Sequence, residues 1–315
     1  MKTRKSSPRA RTPKTSRLIS TLLVLVLGLS CHSYADIPSG RELASASVGL
    51  EKFARELGMA VRDRANKPDT PKTPDSVAAP GAHAGQSRQT GDSFSGCRQL
   101  FAGDNPPVLA HRPTNRALCY DAFAILHSGE SKTAVFVAQK LNRASVADAD
   151  EKRSDKFFAD ARLRSVERAT LEDYKGSGWS RGHLAPAGDM PTSQAMAQSF
   201  SLANMVPQAA KHNGGAWAHS VESATRKYAG RATGNVYVIT GPVFEPSIKQ
   251  SPAIGPGQVR VPKYLFKLVY DQDKNRAWAH WHFNDDSTRA SRPISYGELV
   301  SRTGIEFLPG LHPDD

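Results

Sequence analysis

The apolar positions of this chain fall into two rhythms, separated by polar and turn-rich stretches. In residues 42–66, Leu50, Phe53, Leu57 and Val61 recur at helical spacing with charges on the other side, and the pattern stops at Pro68. Residues 117–128 (ALCYDAFAILHS) and 133–141 (TAVFVAQKL) predict two strands joined by the turn Gly129-Glu130-Ser131. Residues 142–180 are polar and irregular and predict surface loops. A helix is expected over 214–232, then three β-prone runs at 235–244, 263–271 and 276–283, then a last helix over 295–303. Strands outnumber helices and lack βαβ spacing, so the predicted class is α+β, a central antiparallel sheet flanked by helices. No internal repeat is evident.

Composition divides the chain further. Residues 67–95 are rich in Pro, Gly, Ser, Thr and Ala and predict a flexible linker between a helical segment at 36–66 and a domain at 96–315. Residues 1–35 hold seven basic residues and no acid, then the apolar run 18–29, then small residues at Ser33 and Ala35. That is the pattern of a secretory signal cleaved near Ala35, and it predicts export to the periplasm or extracellular space. The apolar run is shorter than the ~20 residues of a membrane span, and an uncleaved anchor is the alternative. Removing the segment takes the net charge from +12 to 12 − 7 = +5, a surplus too modest to identify a nucleic-acid partner by itself. Cleavage also removes Cys31 and leaves Cys97 and Cys119, an even pair that in an exported protein predicts a disulfide; two buried free thiols are the alternative.

Candidate chemistry centres on GWSRGHLAPAGDM, residues 178–190. A cation beside an imidazole favours the neutral ring, which is the form able to accept a proton, so Arg181-Gly182-His183 reads as a base near something anionic. Thirty residues on, HNGGAWAHSVESATR places Asn213 at the start of the expected helix, with Glu222 and Arg226 four apart on one face of it. Upstream, RSDKFFAD adds Arg153 in a polar loop. Each has a plainer reading: a turn histidine, an N-cap asparagine, a surface ion pair. His280 and His282 alternate onto one strand face, and without a third ligand nearby they read as an ordinary half-exposed face rather than a metal site.

Taken in order, these segments resemble the DNA/RNA non-specific endonuclease family with the ββα-metal core, especially its mitochondrial endonuclease G-like branch. The resemblance runs from about Cys97 to Phe307. It implies that His183 is the general base, that Arg181 belongs to the same motif, and that Asn213 is the lone protein ligand of a magnesium ion. It further implies that Arg153 binds phosphate, that Glu222 holds a metal-bound water and that Arg226 faces the phosphate. Ser180 stands where the family often has aspartate. The spacing from Trp217 to Glu222 is one residue longer than the family's, which on a regular helix rotates Glu222 by ~100°. Either the helix absorbs an insertion or Val221 takes the glutamate's place.

The implied activity is hydrolysis of phosphodiester bonds in DNA and RNA, leaving 5′-phosphate ends, with Mg²⁺ or substituting Mn²⁺. The partners expected are the nucleic-acid substrates; no stable protein partner is indicated, and a homodimer is compatible with the sequence. A nucleic-acid-binding or interaction protein that has lost catalysis is the alternative, and it predicts damage at the base or ligand position, whereas both His183 and Asn213 are present.

Overall fold

A computed structural model of the protein describes residues 94–314. The expected signal, the helix at 36–66 and the linker, all but its last two residues, lie outside the described residues. The first half of the domain contains β1 (Asn115–Cys119), β2 (Phe123–Ser128), β3 (Thr133–Leu141), α1 (Arg143–Ala147), α2 (Leu171–Tyr174), β4 (Ser180–His183) and α3 (Ser193–Ser199). The second contains β5 (Met205–Gln208), α4 (Ala210–His212), a π-helix (Asn213–Glu222), α5 (Ser223–Ala229), β6 (Val236–Val243), β7 (Ala253–Ile254), β8 (Val259–Arg260), β9 (Tyr264–Asp271), β10 (Arg276–Phe283), β11 (Ile294–Ser295) and α6 (Tyr296–Thr303).

Seven strands form one antiparallel sheet in the order β1-β2-β3-β6-β9-β10-β11. The α+β expectation therefore holds, with one correction. Residues 117–128 are two strands, not one, because the exposed Asp121 breaks the run and Tyr120 N–H donates to the Phe123 carbonyl at 2.9 Å across a tight turn.

Strand alternation sorts the core to two sides. Leu126, Phe136, Phe266 and Leu268 face one apolar cluster, which Phe94, Phe101, Leu299 and Phe307 cover from the two ends of the domain. Ile125, Val137 and Leu265 face the other, where Leu184, Phe200, Trp217 and Val221 pack on them. Phe94 is wholly buried, 4.9 Å from Phe101 by ring centroids. The sulfurs of Cys97 and Cys119 are bonded, with 5.7 Å between the Cα atoms, and tie that leading segment to β1. Among the described residues no helix is long and apolar enough to cross a membrane.

The second face carries what positions the site. β4 and β5 pair antiparallel as a separate two-stranded unit and lead directly into the helical run that begins at Ala210. That run starts four residues earlier than expected and ends at Ala229.

Candidate active site

Gly182 lets β4 and β5 close. A Cβ there would lie 2.0 Å from Gln208 Oε1, so any other residue displaces the Gln208 side chain packed over it. The next residue, His183, is held between two rings, Phe200 edge-on at 4.9 Å and Phe157 at 5.9 Å between centroids. Only 8 % of His183 is exposed, and its enclosed Nε2 has no hydrogen-bond partner. Burial first, and then the charge of Arg153, press its pKa down to about 3. The ring is thus neutral, as the sequence suggests, but for a different reason: the depressing cation is Arg153, not the chain neighbour Arg181.

Arg181 instead lays its guanidinium 4.2 Å over Phe157. Arg153 lies 4.9 Å over Phe200 and pairs with Asp155 at 2.6 Å, both side chains being largely exposed. Phe157 and Phe200 meet edge to face at 4.9 Å. Two aromatic rings thereby gather His183, Arg153 and Arg181 into one cluster, each cation held by a contact that a phosphate oxygen can share or replace.

Asn213 does not cap the helix. Helical geometry starts at Ala210 with Ala209 as its cap residue, and Asn213 has ordinary helical angles inside the run. Its half-buried side chain instead lines an open pocket together with Arg181, Ser180 and Phe157.

From Asn213 to Glu222 the chain winds as a π-helix, with Gly215 departing from helical angles (φ −108°, ψ −107°) and Ser223 N–H donating to the Ala218 carbonyl five residues back. A π-turn accommodates one more residue than an α-turn. The extra residue between Trp217 and Glu222 is taken up in this way: Trp217 and Val221 are both wholly buried in the core, and Glu222 is only partly buried. Val221 is a core residue, and the carboxyl of this turn is carried by Glu222.

Burial pushes the Glu222 carboxyl up to about 7, against the lowering pull of Lys267. Lys267, on the interior strand β9, is 1 % exposed; its Nζ donates to Thr240 Oγ1 at 2.6 Å and to the Leu184 carbonyl at 3.3 Å. Arg226 does not pair with Glu222. Its Nε donates to buried Asp189 at 2.7 Å, and a Cβ on Gly188 would lie 2.9 Å from Arg226 Nη2. The surface ion-pair reading of Glu222 and Arg226 is corrected accordingly: the helix presents a carboxyl and an anchored guanidinium side by side.

The half-exposed face expected at His280 and His282 is corrected at His282, which is 2 % exposed. His282 Nδ1 lies 3.1 Å from His212 Nε2, whose Nδ1 is 3.2 Å from Gln208 Nε2, a buried polar chain under the β4–β5 unit. Among the described residues no cluster of three His, Cys, Asp or Glu side chains is placed to hold a metal. The Asn213 side chain, half-buried and lining the pocket, offers an amide oxygen that suits a hydrated magnesium ion, which characteristically keeps most of its waters and takes few protein ligands.

Sequence reasoning missed Asp189, Lys267, Phe157 and Phe200. Asp189 lies in the quoted motif, but its partner is 37 residues away. Lys267 interrupts the apolar run KYLFKLVYD on the inward face, and a lysine inside such a strand is the signal that was present.

A seven-stranded antiparallel sheet bearing two short strands that run straight into a helix, with a neutral histidine on the first strand and an asparagine in the helix, defines the ββα-metal nuclease class. The chain belongs to the DNA/RNA non-specific endonuclease family, whose model matches residues 108–314. It is 34 % identical over 173 residues to the mitochondrial nuclease EXOG of Xenopus laevis, covering 52 % of this chain and 46 % of that protein. Human mitochondrial endonuclease G is 35 % identical over 160 residues (48 % of this chain, 51 % of that one). Nuclease C1 of Cunninghamella echinulata var. echinulata is 33 % identical over 207 residues (61 % and 79 %). The chain spans about half the length of the EXOG relatives it matches. In fold it is similar to a crystal structure of an EndoG/EndoGI complex, with a TM-score of 0.58 and 24 % identity, covering 69 % of this chain and 94 % of that one.

Proposed function

We propose that this protein is an exported, Mg²⁺-dependent nuclease that hydrolyses phosphodiester bonds of both DNA and RNA and leaves 5′-phosphate ends. The observation that carries the reading is His183, neutral and partnerless, gathered with Arg153 and Arg181 around Phe157 and Phe200. Export rests on the pattern of residues 1–35 and is consistent with the bonded Cys97 and Cys119.

In this mechanism His183 removes a proton from the attacking water. A pKa near 3 is low for a base working at neutral pH. An anionic phosphodiester arriving beside the ring favours its protonated form and strengthens the base when substrate is bound. Arg153 and Arg181 bind the non-bridging oxygens, and Arg226, fixed by Asp189, supplies a third guanidinium. Glu222 as carboxylate orients a water by hydrogen bonding. Asn213 would hold a magnesium ion, which when bound would supply charge stabilisation to the reaction. None of these groups selects a base, so affinity comes from backbone charge and falls as salt rises.

The test is plasmid nicking and RNA digestion by the protein without residues 1–35, with Mg²⁺ and with EDTA. Cleavage of both polymers only with Mg²⁺, steeply reduced by salt, is expected; no cleavage, or cleavage unaffected by EDTA, overturns the reading.

A further inference from the structure

The pocket beside Asn213 and Arg181 has a volume of about 670 Å³ and is walled by Phe157, Tyr174, Trp179 and Lys175. That volume lies within the ~300–1,000 Å³ typical of small-ligand sites. Three of its features are not needed for water activation or phosphate charge. The first is Trp179, half-buried, with its inner side against the cluster that includes Tyr174 and Met205. Among the described residues no ring or cation stacks on its indole, whereas the face of Phe157 is already covered by Arg181. The second is the turn before it. Gly176 and Gly178 have positive φ (66° and 79°), and a Cβ at either would meet nothing within 4 Å, so the mouth beside the indole is open. The third is Lys175, largely exposed, whose 3.3 Å pair with the exposed Glu172 is of the weak surface kind that a phosphate can displace.

Trp179 also stands in register with the proposed chemistry. In an extended chain residues i, i+2 and i+4 project to one side, ~6.7 Å apart. Arg181 and His183 hold these positions in β4, Trp179 directly precedes that strand, and Trp179 and Arg181 line the same pocket.

We propose that this pocket is a nucleobase subsite: the Trp179 indole stacks on the unpaired base adjoining the scissile phosphodiester, and Lys175 meets the next phosphate. This deepens the nuclease reading and rests on it. A flat aromatic surface accepts any base, so the subsite adds affinity without sequence preference. It requires the adjoining base to leave its neighbours, so it favours single strands and frayed or nicked ends over intact duplex.

The experiment uses two single-stranded DNA oligomers, one intact and one with a single abasic residue, and three proteins: the wild type, Trp179→Ala and Trp179→Phe, each checked for folding by circular dichroism. With Mg²⁺, the wild type cuts the bond on one side of the abasic residue on the order of ten-fold more slowly than the equivalent bond of the intact oligomer. Trp179→Ala cuts both equally slowly, and Trp179→Phe retains the discrimination. In EDTA, fluorescence anisotropy shows the wild type binding the intact oligomer more tightly than the abasic one, and Trp179→Ala losing that difference. Equal treatment of the two oligomers by the wild type in both measurements, or discrimination that persists in Trp179→Ala, overturns the subsite. Base-dependent binding through Trp179 with no cleavage of either oligomer leaves the subsite standing and overturns the nuclease reading instead.

Discussion

His183, almost wholly buried, and Glu222, partly buried, are shifted in opposite senses. His183, pressed to about 3, is already neutral throughout the range from pH 5 to 8, so it sets no acid limb there. Glu222, pushed up to about 7, becomes a carboxylate only as pH rises through neutrality. If its anionic form orients water, kcat/KM climbs with pH through about 7 and then levels. Glu222→Gln should abolish that limb and lower the rate by roughly a hundred-fold or more, and Lys267→Met, which removes the cation favouring the carboxylate, should move the limb to higher pH. A pH–rate profile of the three proteins decides this; an unchanged limb in Glu222→Gln assigns it to another group. The linked stability runs the other way. A carboxyl whose folded pKa is raised holds its proton more tightly folded than unfolded, so its contribution is greatest below the unfolded value near 4.5 and is lost as pH rises to about 7. Sequence alone showed the imidazole beside a cation but chose the wrong cation. Chain adjacency put Arg181 next to His183, while folding brings Arg153 to it from thirty residues upstream.

At the scale of elements, legibility followed pattern length. The runs that became β3, β6, β9 and β10 are eight or nine residues long and rich in β-branched and aromatic residues, and each was expected within a residue or two of its observed ends. β4 and β5 have four residues each, contain Gly182 and Pro207, and show no alternation that a window can detect, so the strands bearing the site were not expected. The π-helix was visible only as an awkward spacing. Its winding makes a specific prediction. Deleting Ser220 lets Trp217 and the glutamate now one position closer sit one α-turn apart, each on its present side. The deleted protein should fold, keep most of its activity and melt no lower than the wild type, whereas inserting an alanine after Ser220 should cost activity by roughly ten-fold or more as the carboxyl rotates away. Thermal melts with nicking rates on both variants test this, and a deletion variant that folds but is inactive would refute the account.

For the whole molecule, the bond between Cys97 and Cys119 closes a 22-residue separation and fastens the Phe94 segment over one face of the sheet. Loops of that size yield about 3 kcal/mol, so a Cys97→Ser/Cys119→Ser variant should melt several degrees lower while its kcat at 25 °C stays close to the wild type, because the site lies with the other apolar cluster. Calorimetry and a nicking assay separate the two effects; a variant that melts normally shows the bond to be incidental. Lys267 has a wider reach. It stands on β9, an interior strand of the sheet, and its ammonium ties the backbone immediately after His183 to that strand. The reactive surface therefore exists only when the last-made strands have joined the first. A chain that ends ahead of residue 264 lacks this anchor, so a truncated protein is expected to show no nicking even where its earlier strands are intact.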